Sequence, residues 1–209
     1  MASPQPGNSS PRQPRPALAT ADPSTTACPF MPASVEASRR SLSNVSVKQA
    51  AAEQLPFADG EFDMLICRLS AHHWSDLGAG LREARRILRP GGLAVMVDVV
   101  APGDPASDTH LQAIELLRDP SHVRDYRVDE WSDALQKAGF QIRGLAIHDL
   151  PREFCSWVER MRTPKSHVDA ILSLQDMASV SVRSALSIAK DGSFTIRVAM
   201  FELEVPPVP

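Results

Sequence analysis

The residues best equipped to move a proton stand together. The segment Cys67-Arg68-Leu69-Ser70-Ala71-His72-His73-Trp74 sets two histidines and an arginine directly after the apolar run Phe62 to Cys67. An imidazole with a pKa near ~6.5 exchanges protons close to neutral pH, so His72 and His73 are the candidate general bases. Side chains of neighbours in an extended segment point to opposite sides, so one of the two faces a site and the other packs. Two further segments are rich in polar groups: Ala52-Glu53-Gln54-Leu55-Pro56-Phe57, and Arg118-Asp119-Pro120-Ser121-His122-Val123-Arg124. In the second, charges flank a proline break between two helices, which predicts a mobile segment that covers a substrate. His110, His148 and His167 read as surface residues.

Such segments need a scaffold. After Asn44, short apolar runs alternate with amphipathic helices, the rhythm of a parallel sheet with helical crossovers. Val45 to Lys48 is read as a short strand, and Phe62 to Cys67 and Leu93 to Val100 as strands covered on both faces. Between the latter two, Leu77, Leu81, Ala84 and Leu88 recur at helical spacing, with Arg82, Arg85, Arg86 and Arg89 on a solvated face. Arg89-Pro90-Gly91-Gly92 stops that helix. A helix through Leu111, Ile114 and Leu117 ends at Asp119-Pro120, and Asp129 caps one carrying Trp131 and Leu135, with Gly139 at its C-cap. A strand over Phe140 to Ile147 follows, then helices bearing Phe154, Trp157, Val158 and Met161, and Val168, Ile171 and Leu172. In the last strand the apolar parity slips near Met200, which a bulge or burial on both faces explains.

The 209 residues suffice for one α/β core, and 43% hydrophobic with 22% charged residues describes a globular chain. A net charge of −3 leaves no basic surplus for nucleic acid, so a small-molecule substrate is expected. No stretch approaches the ~18 apolar residues of a membrane span, and no signal peptide is visible, so a cytoplasmic location is expected and a membrane partner is not. Cys28, Cys67 and Cys155 are widely spaced, which argues against a metal site. Eight of the 18 prolines fall in the first 37 residues among Ser, Thr and Ala, so residues 1–40 read as a disordered, removable leader before a domain at 41–209.

AEQLPFADGEFDMLICR, then HHW, then the helix ending ARRILRPGG and the strand with Asp98 form a recognisable combination. It resembles the class I S-adenosylmethionine-dependent methyltransferases, in the branch similar to ubiquinone and menaquinone C-methyltransferases. The resemblance implies a Rossmann-like α/β sheet and methyl transfer from S-adenosylmethionine to a small organic acceptor. It places the loop at Ala52 and Glu53 beside the adenine, and the strand end at Cys67 and Arg68 beside the methionine part. Ser70 to Trp74 then face the methyl group and substrate, with His72 or His73 as base for an enol, phenol or carbon nucleophile, and Trp74, Arg118 and His122 toward the acceptor. Asp63 and Asp98 are expected to fix loops. The family's opening strand, G-x-G turn and acidic ribose ligand have no match upstream of Ser41, and Gly78-Ala79-Gly80 is a decoy. The sheet is therefore expected to be truncated at its N-terminal side, to bind the cofactor no better than about millimolar, and to self-associate through an exposed edge. A non-catalytic remnant or binding module, from a truncated or mis-started gene, is the alternative reading.

Overall fold

The computed structural model describes residues 39–207, and most of the sequence-read leader lies outside them. Within this range a four-stranded sheet is sandwiched between helices. Strand β1 (Phe62–Arg68) leads through a 3₁₀ turn at Ala71–His73 into helix α1 (Leu77–Ile87) and strand β2 (Leu88–Val100). Helices α2 (Pro105–Arg118) and α3 (Val128–Lys137) precede strand β3 (Gln141–Arg152). Helices α4 (Phe154–Arg160), α5 (Lys165–Met177) and α6 (Val180–Ala185) precede the closing strand β4 (Phe194–Glu204).

Strand order is β1-β2-β4-β3. The expected parallel sheet is in fact mixed: β1 and β2 are parallel, whereas β4 runs antiparallel to both β2 and β3. Apolar periodicity reports which face of a strand is buried and carries no information on its direction, so this feature lies beyond the pattern. Among the described residues β1 is an edge strand, and its Met64 and Ile66 side chains are exposed.

Two cores explain the parity slip in β4. Ala199, Phe201 and Leu203 pack on one face with Trp131 of α3 and Leu81 and Ala84 of α1. Phe194 and Ile196 pack on the other face with Leu111, Ile114, Trp157 and Ile171. Pairing with β2 runs without a break from Leu93↔Glu204 to Val100↔Arg197, so burial on both faces, rather than a bulge, produces the slip.

Helix ends follow local chemistry. Asp76 accepts the Ala79 N–H at the start of α1, and Asp104 with Pro105 opens α2. Gly91 and Gly139 adopt positive φ of 73° and 89°, at the two chain reversals where the sequence pattern calls for glycine. Three expectations are corrected. Val45 to Lys48 is exposed loop, with no strand partner beside it among the described residues. Asp129 lies inside the first turn of α3, where the Arg127 N–H donates instead to Glu130. Leu172 is 37% exposed, because α5 directs Ile171 and Gln175 inward.

Candidate functional site

The histidine turn follows β1 at one end of the sheet, where β1, β2 and β3 finish and β4 begins. Leu69, the first residue after β1, takes a left-handed φ of 50°, an uncommon geometry for a branched side chain. Its N–H still pairs with the Val97 carbonyl, at 2.8 Å, and the bend then aims the next two N–H groups at Asp98. Asp98 is 2% exposed and accepts from Ser70 N (3.2 Å), Ala71 N (2.7 Å) and Val99 N (2.8 Å). It also takes His72 Nδ1 at 2.5 Å. A buried carboxylate saturated in this way both fixes the turn and charges the ring. Burial opposes protonation of His72, but the Asp98 carboxylate outweighs it, with help from Asp125 and Glu115, and raises the pKa to about 9.

His73 has the opposite character. Its burial and the neighbouring His72 charge hold its pKa below the usual histidine value. Nδ1 lies 3.2 Å from the Ser121 carbonyl, which can only accept, so Nδ1 carries the proton and Nε2 the lone pair. Nε2 in turn lies 4.0 Å from Asp119. The two rings are 4.1 Å apart, and His122 lies beyond at a tilt of 37°, 5.9 Å from His72. Burial and the two other histidines push His122 down to about 4. Its Nε2 meets Gln112 Oε1 at 2.8 Å, and its Nδ1 has no hydrogen-bond partner among the described residues.

The segment expected to move is tied down. The N–H groups of Val123 and Arg124 both donate to the His72 carbonyl, and Asp119 and His122 are buried. Ser121 Oγ and N donate to Asp119 at 2.7 and 2.9 Å. The 119–124 segment is thus a strap across the histidine turn.

Two cavities flank that turn on opposite faces of the sheet. The larger, about 380 Å³, is an apolar groove that wraps the open edge of β1 and is floored by Ala52, Leu65, Cys67, Ser70 and Trp74. Helix α1 builds its wall. Arg86, read from sequence as part of a solvated face, donates to the carbonyls of Leu55 and Phe57 and pairs with Asp59 and Glu83, while Glu83 accepts the Leu55 N–H. Gly80, part of the decoy motif, is a close-approach residue: a Cβ there would lie 2.4 Å from the Trp74 ring. Cys67 lines the groove with its thiol pushed up to about 12 by burial and by Asp98, so it is inert as a nucleophile. The smaller cavity, about 120 Å³, is walled by the ionisable residues His72, His73, Glu115, Arg118, Asp125 and Arg152 together with apolar residues such as Val99 and Trp157.

The sequence candidates therefore divide. Ala52, Cys67, Arg68 and Trp74 line the groove. His72, His73 and Arg118 line the small cavity. Glu53 is turned to the Asp76 N–H, at 3.1 Å. His122 sits behind His72, and Trp74 lies on the face of the sheet opposite Arg118. Sequence reasoning overlooks Glu115, Asp125 and Arg152, and treats Asp98 as a loop anchor without its histidine. Glu115 carries a signal, since it lies four residues after Leu111 on the inward face of α2. No group able to hold a metal ion occurs among the described residues.

A family model described as a methyltransferase domain matches residues 12–96, beginning within the segment read as leader. YafE, an uncharacterised protein of Escherichia coli K12, is 48% identical over 166 residues, covering 79% of this chain and 80% of YafE. YcgJ of Bacillus subtilis, an uncharacterised methyltransferase, is 35% identical over 156 residues, covering 75% of this chain and 62% of YcgJ. The YcgJ crystal structure superposes with a TM-score of 0.78 at 32% identity, over 84% of this chain and 77% of that one. The chain belongs to the class I S-adenosylmethionine-dependent methyltransferases. A third relative of this methyltransferase is the ubiquinone/menaquinone biosynthesis C-methyltransferase of Shewanella oneidensis, 39% identical over 61 residues, 29% of this chain and 24% of that protein. No helix among the described residues of the methyltransferase is long and apolar enough to cross a membrane.

Proposed function

We propose that this methyltransferase holds S-adenosylmethionine in the apolar groove, with a small organic acceptor reaching it from the small cavity at the 69–74 turn and His73 as general base. The observation that carries the reading is a pair of adjacent histidines shifted in opposite directions, His72 up and His73 down, lining the small cavity just after the groove-lining Ser70. The groove has the volume and apolar lining of a small-molecule site. Ala52, Cys67 and Arg68 would hold the cofactor, which supplies an electrophilic methyl group on a sulfonium. In-line displacement requires the acceptor to touch the transferred methyl, so donor and acceptor would meet at the end of β1, where Arg68 and Ser70 of the groove adjoin Leu69 of the cavity and the Asp98-bound turn holds that junction rigid.

The histidines divide the remaining work. His72, kept protonated by Asp98, cannot accept a proton, but its charge favours an acceptor oxygen that becomes anionic. His73 carries its lone pair on Nε2 and takes the acceptor proton there, with Asp119 placed to stabilise the imidazolium formed. The cofactor should shift the backbone amide resonances of Cys67, Arg68 and Ser70. His73→Ala should lower kcat by about 10²-fold or more while leaving cofactor affinity within a few-fold. Cofactor-induced shifts confined to another surface, or full turnover by His73→Ala, would remove the assignment.

A further inference from the structure

We infer that the small cavity is a carboxylate-binding subsite and that the acceptor of this methyltransferase is an organic acid; this rests on the reading above and names its substrate class. The cavity lies beneath α2 and α4, with Arg118, Arg152 and Arg160 in its wall beside Glu115, Asp119 and Asp125. Arg118 is committed: its Nε donates to the Trp157 carbonyl at 2.9 Å, its Nη1 lies 3.5 Å from Glu115, and its plane lies 4.8 Å from the Trp157 ring centre. Arg152, the last residue of β3, is not. Its buried Nε has no hydrogen-bond partner among the described residues, although a buried, charged N–H is costly to leave unmet.

The same cavity contains a second orphan. Asp125 is 1% exposed, and its Oδ2 also lacks a partner among the described residues. Burial and the nearby Glu115 raise its pKa well above the usual carboxylate range, so it yields to a proton or a donor more readily than an ordinary carboxylate. Burial lowers the Arg152 pKa, Glu115 pulls it back up, and Arg118, Arg160 and Arg68 lower it again, so positive charge accumulates around it. The cavity wall holds Arg118, Arg152, Arg160 and His72 against Glu115, Asp119 and Asp125; with Glu115 already paired to Arg118, the unmet Arg152 donor is left to complement an anionic oxygen. The volume of about 120 Å³ corresponds to roughly four waters at ~30 Å³ each, which suits a carboxylate and its first carbons. His72 and His73 line the same cavity, so an acid anchored there would lie next to the base.

Tryptophan fluorescence of the full chain, titrated with sodium acetate and sodium benzoate and in parallel with the neutral benzamide, tests this without cofactor. Trp157 in the cavity wall is the reporter. Both carboxylates should bind saturably and benzamide should not. Arg152→Gln should weaken benzoate by about tenfold or more, and Arg152→Lys, which keeps the charge, by less. Equal response to benzoate and benzamide, no saturation with either acid, or unchanged affinity in Arg152→Gln would overturn the inference. A separate cofactor titration distinguishes the two readings: S-adenosylmethionine binding without benzoate binding removes only the carboxylate site, and the reverse result removes only the cofactor assignment.

Discussion

The groove along β1 and the cavity beneath α2 lie one turn of chain apart and are built on opposite principles. The groove is shaped by apolar side chains and one close approach, Trp74 against Gly80, and its lining carries little charge. The cavity is shaped by ionisable groups that shift one another: the pKa values of His72 and Asp125 are raised, while those of His73 and His122 are lowered. An apolar wall tolerates small changes in shape at modest cost. A buried ionic network does not, because removing one member strands the others in a poor solvent for charge.

The sharpest way to break the contrast is Asp98→Ala. It strands a buried imidazolium and deprives the N–H groups of Ser70, Ala71 and Val99 of their acceptor, so urea denaturation should show a loss of about 3–5 kcal/mol. A loss under about 1 kcal/mol would show that the turn is held by other contacts.

The pH dependence of stability should bear the mark of the network and not of the groove. His72 has a folded pKa of about 9, raised above the unfolded ~6.5, so its contribution is complete below ~6.5 and is lost as pH rises through 9, about 3 kcal/mol in all. His122 has the opposite sign: at about 4 in the fold, it costs stability as pH falls from ~6.5 toward 4. Thermal melts across pH should therefore peak near ~6.5. His72→Gln should flatten the alkaline limb and His122→Gln the acid limb; limbs that persist in these variants would assign the titration elsewhere.

On the groove side, Gly80→Ala drives a methyl group into the Trp74 ring and should cost about 1–3 kcal/mol, with a shift in tryptophan emission. Adding Trp74→Phe, which removes the crowded ring atoms, should recover part of the loss, and no recovery would mean that the strain lies in the backbone. The smallest effect is expected from Arg86→Ala. Its partners are partly solvated, so global stability should fall by less than about 1 kcal/mol, while hydrogen exchange at the Leu55 amide quickens as the 55–59 loop is released.

Much of the scaffold is legible in the amino-acid sequence. FDMLIC and the Leu93 to Val100 run form β1 and part of β2, because burial periodicity is a local property, whereas the helix between them ends at Ile87, and Leu88 and the Arg-Pro-Gly-Gly run already lie in β2. Val45 to Lys48 fails for the complementary reason: a strand needs a partner, and four residues of suitable composition do not supply one. The site is legible in part. The position of His72 and His73 after a buried strand is informative, whereas their difference in charge state leaves no trace in the residue pattern.

Sequence by itself determined the element types, the turn residues at Gly91 and Gly139, and the presence of an acid within an otherwise apolar strand at Asp98. Only tertiary structure decided that this acid meets His72. The parallel register that sets Arg68 against Val97 brings residues 26 apart into contact, and no local periodicity encodes a register. The same holds for the cavity that joins Glu115 and Arg118 of α2 to Arg152 of β3: pKa values and orphaned donors are properties of an assembled environment, set by burial and neighbouring charge once the two faces of the sheet have been covered.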